Sequence, residues 1–136
     1  GLHNHRFGLF DGVLIKDNHI AAVGGSIAEA LRLARAHAPR LVKIEIEVTT
    51  LEQLEEAIAH GAHIVMLDNM NNSLVKRAVK LAAGRVELEV SGGITIERLP
   101  VLATLGVDYV SMGALTHSAV AVDLSLEITA SNARRS

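Results

Sequence analysis

Short apolar runs alternate with amphipathic stretches along most of the chain. Five runs rich in Val, Ile and Leu predict β-strands over residues 13–16, 41–48, 63–67, 86–90 and 107–111. The stretches between them repeat apolar residues every three or four positions, as on one face of an α-helix. The pattern therefore predicts the element order β-α-β-α-β-α-β-α-β.

Polar caps, glycines and a proline mark the predicted helix ends. Two helix starts carry the capping-box pattern, in which Ser or Thr is followed three residues later by Glu. These pairs are Ser26 with Glu29 and Thr49 with Glu52. The next two helices are predicted to begin at Asn71 or Asn72 and at Thr95, with Pro100 making the last one less regular. Helix stops are predicted at Pro39, Gly61 and Gly84.

This alternation indicates an α/β fold built on a parallel sheet with helical crossovers. Short strands that are apolar throughout are expected where both faces of the sheet are covered. Two architectures fit the pattern: an open doubly wound sheet and a piece of a β/α barrel.

Composition and charge narrow the class of protein. With 136 residues, 49% hydrophobic and 21% charged, the chain has the composition of a globular domain and not of a disordered one. The sequence has no apolar run near the length of a transmembrane helix. It also has no cysteine, and this excludes disulfides and a Cys nucleophile. The net charge of −2 and the scarcity of aromatic residues predict no nucleic-acid or membrane partner.

Each predicted strand finishes at a polar residue or a glycine. These positions are Lys16, Glu47, Asp68, Ser91 and Gly113, and the last four are separated by 21, 23 and 22 residues. In parallel β/α folds, ligands bind at the carboxyl ends of the strands. The regular spacing therefore predicts one binding site assembled from successive βα units.

The residue types near these strand ends suit an anionic substrate and a metal. His5, Arg6 and Lys16 are basic, and Arg can hold a carboxylate through two hydrogen bonds. Glu47 and Asp68 could hold Mg²⁺, because this ion takes one or two carboxylates together with phosphate oxygens of a substrate.

Two glycine-containing loops are candidates for phosphate contacts. Ser91-Gly92-Gly93 lies between a predicted strand and a helix, and Gly113-Ala114-Leu115-Thr116 repeats the arrangement after the next strand. Glycines let the backbone approach a phosphate, and a following helix N-terminus favours negative charge. Together with the basic and acidic residues, these loops suggest a transfer reaction between a phosphorylated sugar and an acid.

A structural interpretation stands beside each of these signals. The sequence at 91–93, taken alone, is typical of a turn. Asp68 is typical of a residue whose side chain caps the loop that follows it. Glu45 and Glu47 lie on the same face of one strand, so one of them fits equally well as an ion-pair partner. His117 is a candidate for the site or a structural histidine.

Several short motifs follow one another along the chain in a fixed order. The first are Asn4-His5-Arg6, Gly8-Leu9 and Leu14-Ile15-Lys16-Asp17-Asn18-His19. The next are Glu45-Ile46-Glu47-Val48 and Met66-Leu67-Asp68-Asn69-Met70. The last are Glu89-Val90-Ser91-Gly92-Gly93-Ile94, Gly106-Val107-Asp108-Tyr109 and Gly113-Ala114-Leu115-Thr116-His117-Ser118. This succession of motifs resembles the quinolinate phosphoribosyltransferase family, the decarboxylating nicotinate-nucleotide pyrophosphorylases, and the order of the motifs along the chain makes coincidence a poor explanation.

The resemblance implies an Mg²⁺-dependent enzyme of NAD synthesis. Such an enzyme converts quinolinate and phosphoribosyl pyrophosphate to nicotinate mononucleotide, pyrophosphate and CO₂. By position, the family's quinolinate-binding residues correspond to His5, Arg6 and Lys16, and its acidic pair at the ribose and the metal–pyrophosphate corresponds to Glu47 and Asp68. The loops that hold the 5′-phosphate correspond to Ser91, Gly92 and Gly93 and to Gly113, Ala114, Leu115 and Thr116. Lys16, Glu47 and Asp68 are expected to be catalytic, with Glu89 and His117 as further candidates.

The resemblance covers residues 4 to about 128 and implies part of a larger barrel. Residues 1–130 are expected to form the C-terminal part of an incomplete, TIM-like parallel β/α barrel, and residues 131–136 a tail. The family's N-terminal α/β domain and first barrel strands are expected to be absent from these residues. The resemblance also implies a cytoplasmic homodimer or higher homo-oligomer, in which a partner's N-terminal domain completes the site.

Two alternatives to this function remain. One is a molybdenum-transport-associated paralogue with the same fold, against which the sequence Lys16-Asp17-Asn18-His19 speaks. The other is a barrel fragment without catalytic activity.

Overall fold

Five parallel strands form one sheet in which every strand lies beside its neighbour in sequence. The computed structural model describes residues 2–117, 122 and 124–126. The strands are β1 (Gly12–Ile15), β2 (Lys43–Val48), β3 (Ile64–Asp68), β4 (Glu87–Ser91) and β5 (Tyr109–Val110), in the order β1-β2-β3-β4-β5. A doubly wound sheet reverses its strand order at a switch point, whereas the wall of a β/α barrel does not. The order therefore decides between the two predicted architectures in favour of the barrel wall.

Helices follow the strands as the alternation predicted. They are α1 (Asp17–Ala22), α2 (Ile27–His37), α3 (Leu51–Ala59), α4 (Asn72–Ala82), α5 (Leu99–Leu105) and α6 (Ala114–His117), with a 3-10 turn (Ile96–Arg98) before α5. The short helices α1 and α6 were not among the predicted elements. Within the described ranges, no helix is long and apolar enough to cross a membrane.

Some predicted helix ends are confirmed and others shift. Ser26 caps α2 by accepting a hydrogen bond from the Glu29 backbone N–H at 3.1 Å, and Asn71 caps α4. The capping box predicted at Thr49 is wrong by one position. Thr50 is the cap of α3, because its hydroxyl accepts from the Gln53 N–H while the Gln53 side chain accepts from the Thr50 N–H.

The last helix is less regular, as expected, since it begins with a 3-10 turn and Pro100 follows early in its α-helical part. The proline lies in the first turn of α5, where its missing N–H would have had no partner inside the helix. The predicted tail at 131–136 and Ser118 lie outside the described residues.

The sheet has one apolar face and an opposite, more polar face, which carries the acidic residues together with Leu14, Ile64 and Met66. On β2, Ile44, Ile46 and Val48 are almost fully buried, whereas Lys43, Glu45 and Glu47 alternate with them on the opposite face. Apolar residues of neighbouring strands lie side by side in register, so the apolar face continues across the sheet. The helices pack on this face. Its main members are Ile15, Ile44, Ile46, Val48, Val65, Leu67, Leu88 and Val90, covered by Leu31, Leu54, Val75 and Leu102 from the helices. In a barrel the opposite, polar face is the one that lines the interior.

Candidate active site

The carboxyl edge of the sheet brings three of the predicted catalytic side chains into one neighbourhood. Lys16 directly follows β1, and its Nζ lies 3.8 Å from Oε2 of Glu47 on β2. On the next strand pair, Asp68 of β3 lies beside Ser91 of β4 in register. The chain thus places a cation, two carboxylates and a hydroxyl along one edge, each at the end of its own strand.

The charges of Glu47 and Asp68 act on each other. Burial raises the pKa of the Glu47 carboxyl, the nearby charge of Asp68 raises this pKa further, and the Lys16 ammonium partly offsets both. The Glu47 side chain retains only 17% of its exposure, whereas that of Lys16 retains 54%. A half-buried acidic pair of this kind favours a bound cation, because a positive charge relieves the repulsion.

A second acidic pair lies one layer deeper on the same polar face. Glu89 of β4 is 8% exposed and accepts a hydrogen bond from the Ser111 hydroxyl. Glu45 of β2 faces Glu89, and its Oε1 is buried without a hydrogen-bond partner. Burial, the charge of Glu89, a hydrogen bond with Glu89 and the charge of Glu47 raise the pKa of Glu45 to about 7.

The charged neighbours of Glu45 and Glu47 distinguish these two residues, which the sequence alone did not. Glu47 is the one with a basic partner, since it faces Lys16. Glu45 faces another carboxylate instead, so it does not act as the ion-pair partner that one interpretation of the sequence allowed. Alternate strands of a barrel place side chains in the same interior layer, which explains why β2 and β4 meet across β3.

The raised pKa of Glu45 predicts a specific pH dependence of stability. Between pH 4.5 and about 7 the folded chain holds a proton on Glu45 that the unfolded chain releases, so the free energy of unfolding falls as the pH rises through this window. We expect Glu45→Gln, which keeps a neutral hydrogen-bonding group, to lose this pH dependence and to exceed the parent above pH 7 by about 1–2 kcal/mol, an amount discounted for partial exposure. Urea unfolding of this chain at a series of pH values measures it.

The matched control for this measurement is Glu55→Gln, which removes an exposed carboxylate on α3. Its unfolding free energy is expected to follow the parent's pH profile. Parallel profiles for the parent and Glu45→Gln would show that Glu45 titrates normally in the folded chain.

The loop at 91–93 has the backbone expected of a glycine turn. Gly92 and Gly93 have φ angles of +83° and +58°. The helix predicted to begin at Thr95 is present, with Thr95 as its N-cap, but its first turn (Ile96–Arg98) is 3-10 and the α-helical part α5 begins at Leu99. The N–H groups of the glycine loop are therefore followed by a 3-10 turn before the α-helix.

The second glycine loop folds as the short helix α6. The backbone N–H groups of Thr116 and His117 donate to the Gly113 carbonyl at 2.9 and 3.0 Å, and the Thr116 hydroxyl donates to it at 3.0 Å. The His117 ring covers Gly113 so closely that a β-carbon built there would lie 2.5 Å from Nε2. Gly113 is thus a position of close approach, and His117 is its neighbour in the fold.

His5 and Arg6 are exposed and lie in a segment without regular secondary structure before β1. The segment is organised around Asp11, whose carboxylate accepts from the backbone N–H of Phe7 at 2.6 Å. In the part of the chain that the structure describes, neither side chain pairs with Lys16 or Glu47. The structure therefore assembles the acidic half of the predicted site and leaves its basic N-terminal part separate.

Three residues around the site were not singled out from the sequence. Ser111 holds Glu89, His19 accepts from the Lys16 backbone N–H through Nδ1 at 3.0 Å, and Asn69 lies against Gly92. The two-residue period of β5 places Ser111 on the polar face and could have indicated it. His19 and Asn69 lie inside the motifs that carry the family resemblance, but nothing in those motifs indicated their contacts, which depend on local backbone geometry.

The donors available for a metal are carboxylate oxygens. Among residues 2–117, 122 and 124–126, no group of three or more His, Cys, Asp and Glu side chains is placed to hold a metal ion. Glu47 and Asp68 alone are hard oxygen donors in mutual repulsion, which suits a weakly anchored Mg²⁺ that completes its coordination with water and phosphate oxygens.

Comparison with known proteins covers nearly the whole chain. The family model described as "Quinolinate phosphoribosyl transferase, C-terminal domain" matches residues 1–127. A Bacillus subtilis protein named probable nicotinate-nucleotide pyrophosphorylase [carboxylating] is 52% identical over 132 residues, which are 97% of this chain and 45% of that protein. A Nicotiana glauca protein named quinolinate phosphoribosyltransferase [decarboxylating] 2, mitochondrial, is 39% identical over 94% of this chain and 41% of its own length.

Solved structures agree with the sequence comparison. NadC from Streptococcus pyogenes superposes with a TM-score of 0.81 at 47% identity, over 92% of this chain and 44% of that one. A mandelate oxidase at 20% identity, with a TM-score of 0.55, shares the fold alone. This chain spans less than half the length of the relatives that it matches.

Proposed function

The chain belongs to the quinolinate phosphoribosyltransferase family, and we propose that it carries most of the active site of an enzyme that transfers phosphoribose to quinolinate. The products are nicotinate mononucleotide, pyrophosphate and CO₂, in a step of NAD synthesis. The observation that carries this proposal is the group of Lys16, Glu47 and Asp68 at the carboxyl edge of the sheet, beside the Ser91 loop.

The proposed role of the basic residues is to bind and align quinolinate. His5, Arg6 and Lys16 would contact its two carboxylates, with Arg6 able to form two parallel hydrogen bonds. Lys16 would contact quinolinate next to the acidic pair, since its ammonium is 3.8 Å from Glu47. Alignment is the main contribution in a reaction of two substrates, because it replaces a random encounter by a fixed geometry.

The proposed role of the acidic pair is electrostatic. The quinolinate ring nitrogen attacks C1 of the ribose, and the bond from C1 to pyrophosphate breaks with its electrons leaving on pyrophosphate. Positive charge builds on the sugar as this happens, and Glu47 and Asp68 would stabilise it from the carboxyl edge. The positive charge of the quaternised ring nitrogen then stabilises the electron pair that stays on the adjacent ring carbon when its carboxylate leaves as CO₂, and a proton from solvent takes the place of the carboxylate on that carbon.

Mg²⁺ is the proposed cofactor, and Glu47 and Asp68 would hold it directly or through water or pyrophosphate. When bound, it supplies charge neutralisation for the leaving pyrophosphate. The loops Ser91-Gly92-Gly93 and Gly113-Ala114-Leu115-Thr116 would hold the 5′-phosphate. Glu89, beneath this edge, would support the site through Ser111.

The proposal extends to the organisation of the whole enzyme. We assign residues 1–130 to the C-terminal part of the barrel and residues 131–136 to a tail, with the N-terminal α/β domain and first barrel strands supplied by further sequence. The sheet supports this, since β1 and β5 each pair with one neighbour and leave an edge for further strands. A cytoplasmic homodimer is the proposed form, in which a partner completes the basic part of the site around His5 and Arg6.

The test of this function is turnover of quinolinate and phosphoribosyl pyrophosphate by the full-length enzyme, with Arg6→Ala as the informative variant. We expect nicotinate mononucleotide and CO₂ from the parent, and a rise of at least about tenfold in the KM for quinolinate in the variant, because a charged hydrogen bond to a carboxylate is lost.

Arg40→Ala is the matched control, since it removes an exposed arginine between α2 and β2. It is expected to leave the KM unchanged. No product from the full-length parent would refute the proposed function and favour the paralogue, whereas an unchanged KM in Arg6→Ala would refute only the role of Arg6.

A further inference from the structure

Asn69 occupies an unusual place directly after β3. Its φ angle is +54°, in the left-handed region that L-residues seldom adopt. Its backbone N–H donates to the Ser91 carbonyl at 3.0 Å, and its side-chain Nδ2 donates to Oδ2 of Asp68 at 2.7 Å. One residue therefore contacts both the carboxylate at the end of β3 and the first residue of the glycine loop after β4.

Asn69 adds a second reason for glycine at residue 92, where the φ angle of +83° already favours it. A β-carbon built on Gly92 would lie 2.4 Å from Oδ1, 2.6 Å from Cγ and 2.8 Å from the backbone N of Asn69. Gly93 differs, because a β-carbon there would meet no atom within 4 Å. The close contact is thus specific to Gly92, and Asn69 is its cause.

Two ordinary reasons for an asparagine at this position do not apply. Asn69 is not the cap of the following helix, since Asn71 accepts from the Leu74 N–H at 3.0 Å and fills that role. Asn69 is also exposed, so it contributes little to the core. What its amide does is hold the Asp68 carboxylate and pack against the loop.

We propose that Asn69 is a positioning residue that orients the Asp68 carboxylate and fixes the Ser91-Gly92-Gly93 loop relative to it. This inference rests on the proposed function. The carboxylate acts near C1 of the phosphoribosyl group and the loop holds its 5′-phosphate, so one side chain sets the spacing between the two ends of the same substrate. Asn suits the task because it tolerates left-handed backbone and carries both a donor and a compact, rigid amide.

The first test is Asn69→Gly in the full-length enzyme. Glycine adopts φ of +54° freely, so the backbone is kept and only the amide is removed. We expect kcat to fall by about tenfold or more, because a small displacement of a charged group is costly to the reaction. The KM for quinolinate is expected to stay within about twofold, since other residues bind that substrate.

Ala83→Gly is the control for glycine in a left-handed position. Ala83 ends α4, away from the carboxyl edge, and has a φ of +48°. Its variant is expected to keep both kinetic constants. A parent that turns over substrate together with an Asn69→Gly variant of unchanged kcat would overturn this inference alone, whereas an inactive parent would overturn the function on which it rests.

The second test needs no turnover and measures the contact itself. Gly92→Ala and Gly93→Ala are each combined with Asn69→Gly in the same enzyme, and urea midpoints are measured for all variants. Both alanines carry left-handed backbone strain, but only Ala at 92 meets the amide. We expect Asn69→Gly to recover part of the midpoint lost in Gly92→Ala and none of that lost in Gly93→Ala. Purely additive shifts at residue 92 would overturn the contact.

Discussion

Glu47→Gln is expected to lower kcat of the full-length enzyme by about 10²–10³-fold, the range seen when a preorganised electrostatic contact to a transition state is removed. Glutamine keeps the size of the side chain, and it removes only the negative charge that faces the Lys16 ammonium at 3.8 Å. The loss is expected in kcat, because the charge is proposed to act on the cationic sugar that exists in the transition state and not in the bound substrates.

The geometry makes Glu47 the most sensitive of the acidic residues. Its side chain is 17% exposed, so water screens its charge poorly, and its pKa is raised by burial and by Asp68 while Lys16 counteracts both. A charge held in such surroundings acts more strongly on a nearby cation than an exposed one does. Asp68, which is partly buried at the end of β3, is proposed to share this role.

The measurement is the initial rate of pyrophosphate release at saturating quinolinate and phosphoribosyl pyrophosphate. Glu55→Gln, on the exposed side of α3, is the control and is expected to keep the parent's rate. A Glu47→Gln variant within about twofold of the parent would remove Glu47 from the reaction and leave Asp68 as the only acidic candidate at this edge.

The largest expected effect on stability comes from Ile46→Ala. Ile46 is 0% exposed on β2, where it faces the helices, and it lies in register between Ile15 and Val65. Removing three carbons from such a position leaves a cavity, so the free energy of unfolding is expected to fall by about 2–5 kcal/mol. Urea unfolding followed by circular dichroism measures the change.

Leu41→Ala provides the comparison for this core substitution. Leu41 is 87% exposed just before β2, and its truncation is expected to change the unfolding free energy by less than about 0.5 kcal/mol. Ile46→Val, which removes one methyl group, should cost about 0.5–1.5 kcal/mol. Equal effects of the two alanine substitutions would mean that the apolar face of β2 is not covered by the helices as described.

Features that depend on local sequence were predictable from the chain alone. The alternation of Ile44, Ile46 and Val48 with Lys43, Glu45 and Glu47 is visible in the sequence and recurs as the two faces of β2. The caps at Ser26 and Asn71 were predicted because a side chain that caps a helix lies two or three residues from its partner.

Helix α1 shows where local patterns fail. It has six residues, too few for an apolar period to emerge, and it begins at Lys16 without a Ser, Thr, Asp or Asn cap. Its first turn is stabilised instead by His19, whose ring nitrogen accepts from the Lys16 N–H at 3.0 Å. This cap has no counterpart among the sequence patterns that mark helix starts. The sequence therefore did not indicate a helix at residues 17–22.

By itself, the sequence determined the order of strands and helices, the two faces of each strand and the polar residues that close each strand. These follow from periodicity and capping, which act over a few residues. Only the tertiary structure decided which distant residues meet: Lys16 with Glu47, Glu45 with Glu89, and Asn69 with Gly92. Those contacts depend on sheet register and on the stagger between strands, and both are set by packing across the whole sheet.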